Sequence, residues 1–248
     1  MNSIEEILIQ QQRRASYFGS DFTAADCIAE WTTVEGDATA DVALATGANL
    51  VGGQITMIVT TTDNQECYIH SQELFDFGPG GLAGKSIVAE CRLKYTEIAT
   101  DDANLVFGLA SAVAANDLID DGLGPKAAYS GALIYKVDGG TVWKAEASVN
   151  GGATQYGGTS TQGSGGGVWQ TLRIETHPLT ATRCDVSFLI DPNGGSNFIP
   201  LKDANLIPLK YEMDITTTTE MSLMAGLKNG GANTETVYID YMHAVQIR

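Results

Sequence analysis

Between Gly131 and Val149 the chain reads GALIYKVDGGTVWKAEASV, two alternating runs that meet at Asp138-Gly139-Gly140. Leu133, Tyr135 and Val137 share one face of the first run, and Ile134 and Lys136 take the other. In the second run Trp143, Ala145, Ala147 and Val149 alternate with Lys144, Glu146 and Ser148. A side-chain period of two is the mark of a strand, and Asp-Gly between two such runs is a hairpin signal. Joining apolar face to apolar face predicts a three-residue loop, with Tyr135 opposite Trp143 and Leu133 opposite Ala145. A four-residue loop would set Lys136 opposite Trp143 and send the apolar set to the other side. A hairpin apolar on one face and charged on the other must lie over a second layer, which makes it a β-sandwich in miniature.

The same period recurs along the chain. Ile55, Met57 and Val59 alternate within Gln54–Thr61, and Ile87, Ala89, Cys91, Leu93 and Tyr95 alternate with Glu90, Arg92 and Lys94. Short strands are predicted near Ala40–Leu44, over Glu66–Ser71 and over Leu105–Ala112, the last with Leu105, Phe107 and Leu109 inward. Leu172 and Ile174 face inward in Val168–Thr176, as do Cys184, Val186, Phe188 and Ile190 in Arg183–Asp191. Met221–Lys228 and Thr236–Ile247 supply the last two strands, and Phe22 and Trp31 are candidate core aromatics. Asn116–Ser130 reads as a long loop, and Gly-rich 151–167 as a mobile loop or an extended edge. Pro200 and Pro208 keep the segment between them irregular. No break in composition divides the sandwich, so the domain is placed at 20–248.

Residues 1–19 differ in kind. Ile4, Ile7 and Leu8 recur at helical spacing, Ser3 stands as an N-cap with Glu6 three residues on, and Arg13 and Arg14 favour a helix end. These features predict a short N-terminal helix or arm, followed by Tyr17-Phe18-Gly19. The stripe of Ile4, Ile7 and Leu8 must dock on its own sandwich or on a neighbour. With Arg13, Arg14, Tyr17 and Phe18 it forms the candidate partner-binding segment.

Composition narrows the classes of function. With 30 Asp and Glu against 14 Lys and Arg the net charge is −16, a surface that repels nucleic acid and anionic lipid. No run reaches transmembrane length, and the start lacks the basic and apolar regions of a secretory signal, so a soluble, unprocessed chain is expected. Cys27, Cys67, Cys91 and Cys184 have no zinc-ligand spacing. The last three are in phase with apolar neighbours and read as buried thiols, suited to assembly in a cytoplasm, although four cysteines also permit two disulfides.

The search for chemistry turns up little. Gly78–Ser86 (GPGGLAGKS) nearly spells a phosphate-binding loop, but Pro79 stands where that motif needs Gly, and the segment leads into a strand rather than a helix. His70, His177 and His243 lie far apart, and His243 is in phase with Ile239, Tyr241 and Val245. Glu90, Glu97 and Glu146 lie among outward residues, without the paired pattern of a glycosidase. No catalytic residue is assigned and no cofactor is expected. Three loops gather oxygen ligands that suit calcium (Asp101/Asp102, Asp117/Asp120/Asp121 and Asp191/Asn193), without an EF-hand pattern; Asp-rich turns more often face solvent. Trp169 is out of phase with Leu172 and Ile174, which makes it a candidate exposed contact for a glycan.

The strand series DFTAADCIAEWTTVEGDA, VAECRLKY, VWQTLRIE, RCDVSFLIDPNG and TVYIDYMHAVQI resembles the concanavalin A-like (laminin G/lectin type) jelly rolls over residues 21–248. That resemblance implies an all-β, antiparallel two-sheet sandwich. With LVFGLASAVAANDLIDDGLGPKAAYSGALIYKVDGGTVW the chain is also similar to virion components of tailed bacteriophages. The implied function is a non-enzymatic capsid decoration protein, assembled in the host cytoplasm and docked on the major capsid protein and on copies of itself. A carbohydrate-binding lectin-like module is the alternative from a different class, and a glycoside hydrolase is the third. The lectin family's calcium and sugar ligands have no residue-by-residue counterpart in this sequence.

Overall fold

The computed structural model describes residues 15–23, 25–36, 40–44, 53–77, 86–97, 102–119, 123–149, 154–216 and 219–247. In chain order the strands are β1 (Ala15–Ser20), β2 (Thr32–Glu35), β3 (Asp41–Leu44), β4 (Ile55–Val59), β5 (Glu66–His70), β6 (Ile87–Glu97), β7 (Ala103–Ala110), β8 (Leu118–Ile119) and β9 (Gly124–Pro125). They continue with β10 (Gly131–Lys136), β11 (Val142–Val149), β12 (Thr154–Gly163), β13 (Gln170–Thr180), β14 (Arg183–Asp191), β15 (Ile199–Pro200), β16 (Lys210–Asp214), β17 (Ser222–Asn229) and β18 (Glu235–Ile247). A 3-10 turn covers Ala25–Glu30. Among the described residues no helix is long and apolar enough to cross a membrane.

Two antiparallel sheets face each other. The larger has nine strands in the order β15-β14-β13-β6-β18-β4-β3, with β1 also on β18 and β16 also on β14. The smaller runs β12-β11-β10-β7-β17-β5-β2. The core between them holds Ile55, Met57, Leu172, Ile174, Val186, Phe188 and Ile190 from the larger sheet, against Phe107, Leu109, Ile134, Trp143, Leu223 and Leu227 from the smaller. Strand β6 behaves as its alternation predicts, with Ile87, Ala89, Cys91, Leu93 and Tyr95 buried. Within Gly-rich 151–167, Thr154–Gly163 forms an extended edge strand, β12. Cys67, Cys91 and Cys184 are free and buried; burial raises the Cys67 thiol to about 12 and that of Cys184 to about 11.

Three expectations are corrected. Tyr135 pairs with Lys144 and Ile134 with Ala145, the register of the longer loop. Trp143 therefore shares the intersheet core with Ala132, Ile134 and Lys136, while Leu133, Tyr135 and Val137 point to the opposite face. There they join a second apolar cluster with Tyr68, Val106, Leu118, Tyr129 and Met224. Strand β10 is buried on both faces, so apolar matching could not tell which set belongs to the main core. Lys136, wholly buried, reaches Glu97 at 2.7 Å and donates to the Ala103 carbonyl at 2.8 Å.

The second correction lies in β18. Its register shifts between Ile239 and Tyr241, a bulge that reverses the parity of the strand. Val237 and Ile239 face the core before it, and Met242 and Ala244 after it. Tyr241, His243 and Val245 consequently lie on the outer face of the larger sheet. The third concerns the N-terminal segment. Strand β1 pairs with β18 from Ala15↔Ile247 to Ser20↔Met242, so the expected boundary after residue 19 falls inside a strand of the sandwich. The predicted helix lies outside the described residues.

Candidate functional site

The two sheets present very different outer faces. That of the smaller sheet is roofed by residues 112–119 and 123–130, which carry the β8–β9 pair. A buried polar network pins the roof. The Tyr68 hydroxyl donates to Glu66 Oε2 at 2.8 Å, Lys228 Nζ lies 3.3 Å from the same oxygen, and Asn116 N donates to Glu66 Oε1 at 2.7 Å. Lys228 also donates to Asn116 Oδ1 and to the Leu118 carbonyl, each at 3.1 Å. The hollow left beneath the roof, between Val106, Tyr129 and Met224, measures about 10 Å³, room for about one water. It is a filled face.

The described Asp side chains of the Asp-rich turns are each held by protein partners, and Asp101, Asp120 and Asp121 lie outside the described residues. Asp191 accepts from Asn193 N and Asn197 N at 2.8 Å each. Asp117 accepts from Ala114 N and pairs with Lys126, and burial raises its carboxyl above the usual range. Asp102 accepts from Asn233 at 2.7 Å. Among the described residues, no group of three His, Cys, Asp or Glu side chains gathers to hold a metal.

The larger sheet's outer face is open and ordered in cross-strand rows. Gln170 pairs with Leu93 and Tyr238 with Lys94, so Trp169, Lys94 and Tyr238 stand in one row. The next row holds Thr171, Arg92 and Tyr241, and the third Arg173, Glu90 and His243. Arg92 donates to the Gly194 carbonyl at 2.7 Å and to Asp240 at 2.6 Å. Arg173 pairs with Glu90 and lies 4.0 Å from the centre of the Phe198 ring. His243 stacks on Tyr241 at 5.4 Å and on Tyr17 at 6.2 Å. Burial, with Arg173 adding to it and Glu90 opposing, holds the His243 imidazole below its ordinary value.

This face receives part of the expected site. Tyr17 lies on it, 63% exposed. Phe18, on the other side of β1, turns into the core edge-on to Trp31 at 4.7 Å, so it is not available to a partner as expected. Trp169 is half-buried rather than free, with the Arg92 guanidinium 4.6 Å and the Lys94 ammonium 5.0 Å from its ring centre. Ile4, Ile7, Leu8, Arg13 and Arg14 lie outside the described residues.

A second feature went unread in the sequence. Between Pro200 and Pro208 the chain forms a short hairpin rooted by buried Leu201 and Leu209, with Leu209 N donating to the Leu201 carbonyl at 2.7 Å. Its tip is tied by Asp203, whose Oδ1 accepts from Asn205 N at 2.8 Å and Ile207 N at 2.9 Å. Leu206 stands there at φ 63° and is 70% exposed, beside Ile207 at 59%. Left-handed backbone at an exposed leucine has no stability rationale, since Gly or Asn would sit there at lower cost.

The fold is that of the legume-lectin-like, concanavalin A-like jelly rolls. Among solved structures, peanut lectin shares it at TM-score 0.55 and 10% identity, over 94% of this chain and 97% of that one. The Emp46p carbohydrate recognition domain does so at 0.53 and 14%, over 90% and 91%. An endo-β-1,4-glucuronan lyase from the fungus Trichoderma reesei does so at 0.55 and 11%, over 95% and 96%. At these identities the likeness speaks to architecture alone. No family model matches the sequence, and no curated protein does.

Proposed function

We propose that the chain is a structural protein of a tailed-bacteriophage virion, a non-enzymatic decoration protein that docks on the major capsid protein and on copies of itself at the capsid surface. The observation that carries this is the Leu201–Leu209 hairpin. A rigid, core-rooted tip that displays Leu206 and Ile207 to water, one of them in strained backbone, has the form of an anchor for an apolar pocket in another protein. The other ground for this reading is the resemblance to phage virion components drawn from the sequence. Replacing Leu206 with Gly relieves the left-handed strain, so stability should hold or rise by up to about 1 kcal/mol. Co-sedimentation with source particles stripped of this chain should nevertheless fall tenfold or more. If L206G binds such particles as tightly as the unaltered chain, the hairpin is no anchor.

A second reading, glycan binding, is favoured by one observation: a tryptophan and a tyrosine stand in the same row as a lysine on the open face of a sandwich whose structural relatives include a lectin and a carbohydrate recognition domain. A virion protein exposing that face could hold both roles, docking by its edges and meeting host polysaccharide with its open sheet.

A further inference from the structure

The row Trp169–Lys94–Tyr238 has a chemistry of its own. Lys94 Nζ lies 5.0 Å from the centre of the Trp169 ring and 4.9 Å from that of Tyr238. Among the described residues it pairs with no carboxylate. In a chain with 30 acidic and 14 basic side chains, an ammonium held by two rings instead of an acid stands apart. The rings hold the cation by their quadrupoles but do not neutralise it, so its N–H donors stay available to an incoming anion. Arg92, one row along, adds a second cation over the same indole, its guanidinium fixed by Asp240 and by the Gly194 carbonyl. Thr56, next in the row beside Tyr238, adds a half-exposed hydroxyl. All of these except Trp169, which directly precedes β13, stand on strands, so the site is preformed.

We propose that this row binds acidic sugar residues of a polysaccharide, a pyranose carboxylate pairing with Lys94 and Arg92 while the sugar's C–H face lies on Trp169. A carboxylated pyranose is the ligand class that uses both halves. A bare oxyanion would meet only the charged half of the row, and a neutral sugar would leave Lys94 without an acidic partner, Arg92 being already paired with Asp240. The proposal rests on the glycan reading and narrows it. The chain's net charge of −16 repels a polyanion at long range, so contact is favoured at ionic strengths near 0.15 M, where screening acts beyond roughly 8 Å.

The test is calorimetry of the full chain at that ionic strength with four probes: a linear oligogalacturonate, its methyl ester, cellohexaose and inorganic sulfate. The oligogalacturonate should bind at least tenfold more tightly than the ester or cellohexaose. Lys94→Gln and Trp169→Leu should each lower its affinity about tenfold, with melting temperature confirming the fold, and His177→Gln, exposed at the far end of β13 on the same face, should leave it unchanged. Equal binding of the ester or cellohexaose would overturn the acidic class while the glycan reading stands. Binding of no glycan would sink both. Binding of sulfate alone, or oligogalacturonate binding untouched by both substitutions, would overturn the site.

Discussion

Lys136 offers the sharpest test of the fold. Alternation alone assigns it to an outward polar face, where replacement by Ala moves stability by no more than about 0.5 kcal/mol. The structure buries it completely opposite Trp143, paired with Glu97 at 2.7 Å and donating to the Ala103 carbonyl. Removing one member of a buried pair costs about 3–5 kcal/mol, because the surviving charge is left desolvated. Glu97 is itself mostly buried and also accepts from Ala103 N at 3.1 Å, so it cannot swing out to water without breaking a further bond. For a domain of this size each kcal/mol moves the melting point by roughly 2–4 °C, so Lys136→Ala should lower it by about 6–20 °C. In urea, with a slope near 3 kcal/mol/M, the midpoint should fall by roughly 1–2 M. Lys144→Ala, on the opposite face of the neighbouring strand, is the control and should stay within about 1 kcal/mol. A loss below 1 kcal/mol for Lys136→Ala would place the lysine at the surface and restore the shorter hairpin loop.

Two further outcomes are expected. Deleting residues 1–14 should leave the melting curve unchanged, whereas deleting 1–19 removes most of β1 and the half-buried Phe18 that packs on Trp31, at a cost of about 2 kcal/mol; equal melting of both truncations would contradict the strand. Because the folded state holds His243 below its ordinary value of 6.5, the unfolded chain takes up its proton first as pH falls. Stability from this site is thus full above about pH 6.5 and declines below it. His243→Gln should flatten the slope of stability against pH just under 6.5, and an unaltered slope would show that the imidazole is not the group responsible.

Much of the architecture was legible because one face of most strands meets water. In β4, β6, β13 and β14 the period-two pattern names the buried set correctly, and Phe22, Trp31, Cys67, Cys91 and Cys184 fall in the core as the sequence predicts. Pattern failed where its premise failed. Strand β10 is covered on both sides, so two apolar sets competed and the lysine between them gave the wrong vote, its charge being satisfied by a residue 39 positions away. The bulge in β18 reverses inside and outside at one residue and leaves no trace in hydropathy, so Tyr241 and His243 were assigned to the wrong phase. The candidate sites show the same division. The outward turn of Lys94 could be read from its own strand, and Trp169 from its break in phase. That Trp169, Lys94 and Tyr238 form one row depends on pairing strands that lie far apart in sequence, which local alternation does not encode. Only the tertiary structure decides which strand lies beside which, because register is set by the whole core closing at once and not by any segment's own pattern.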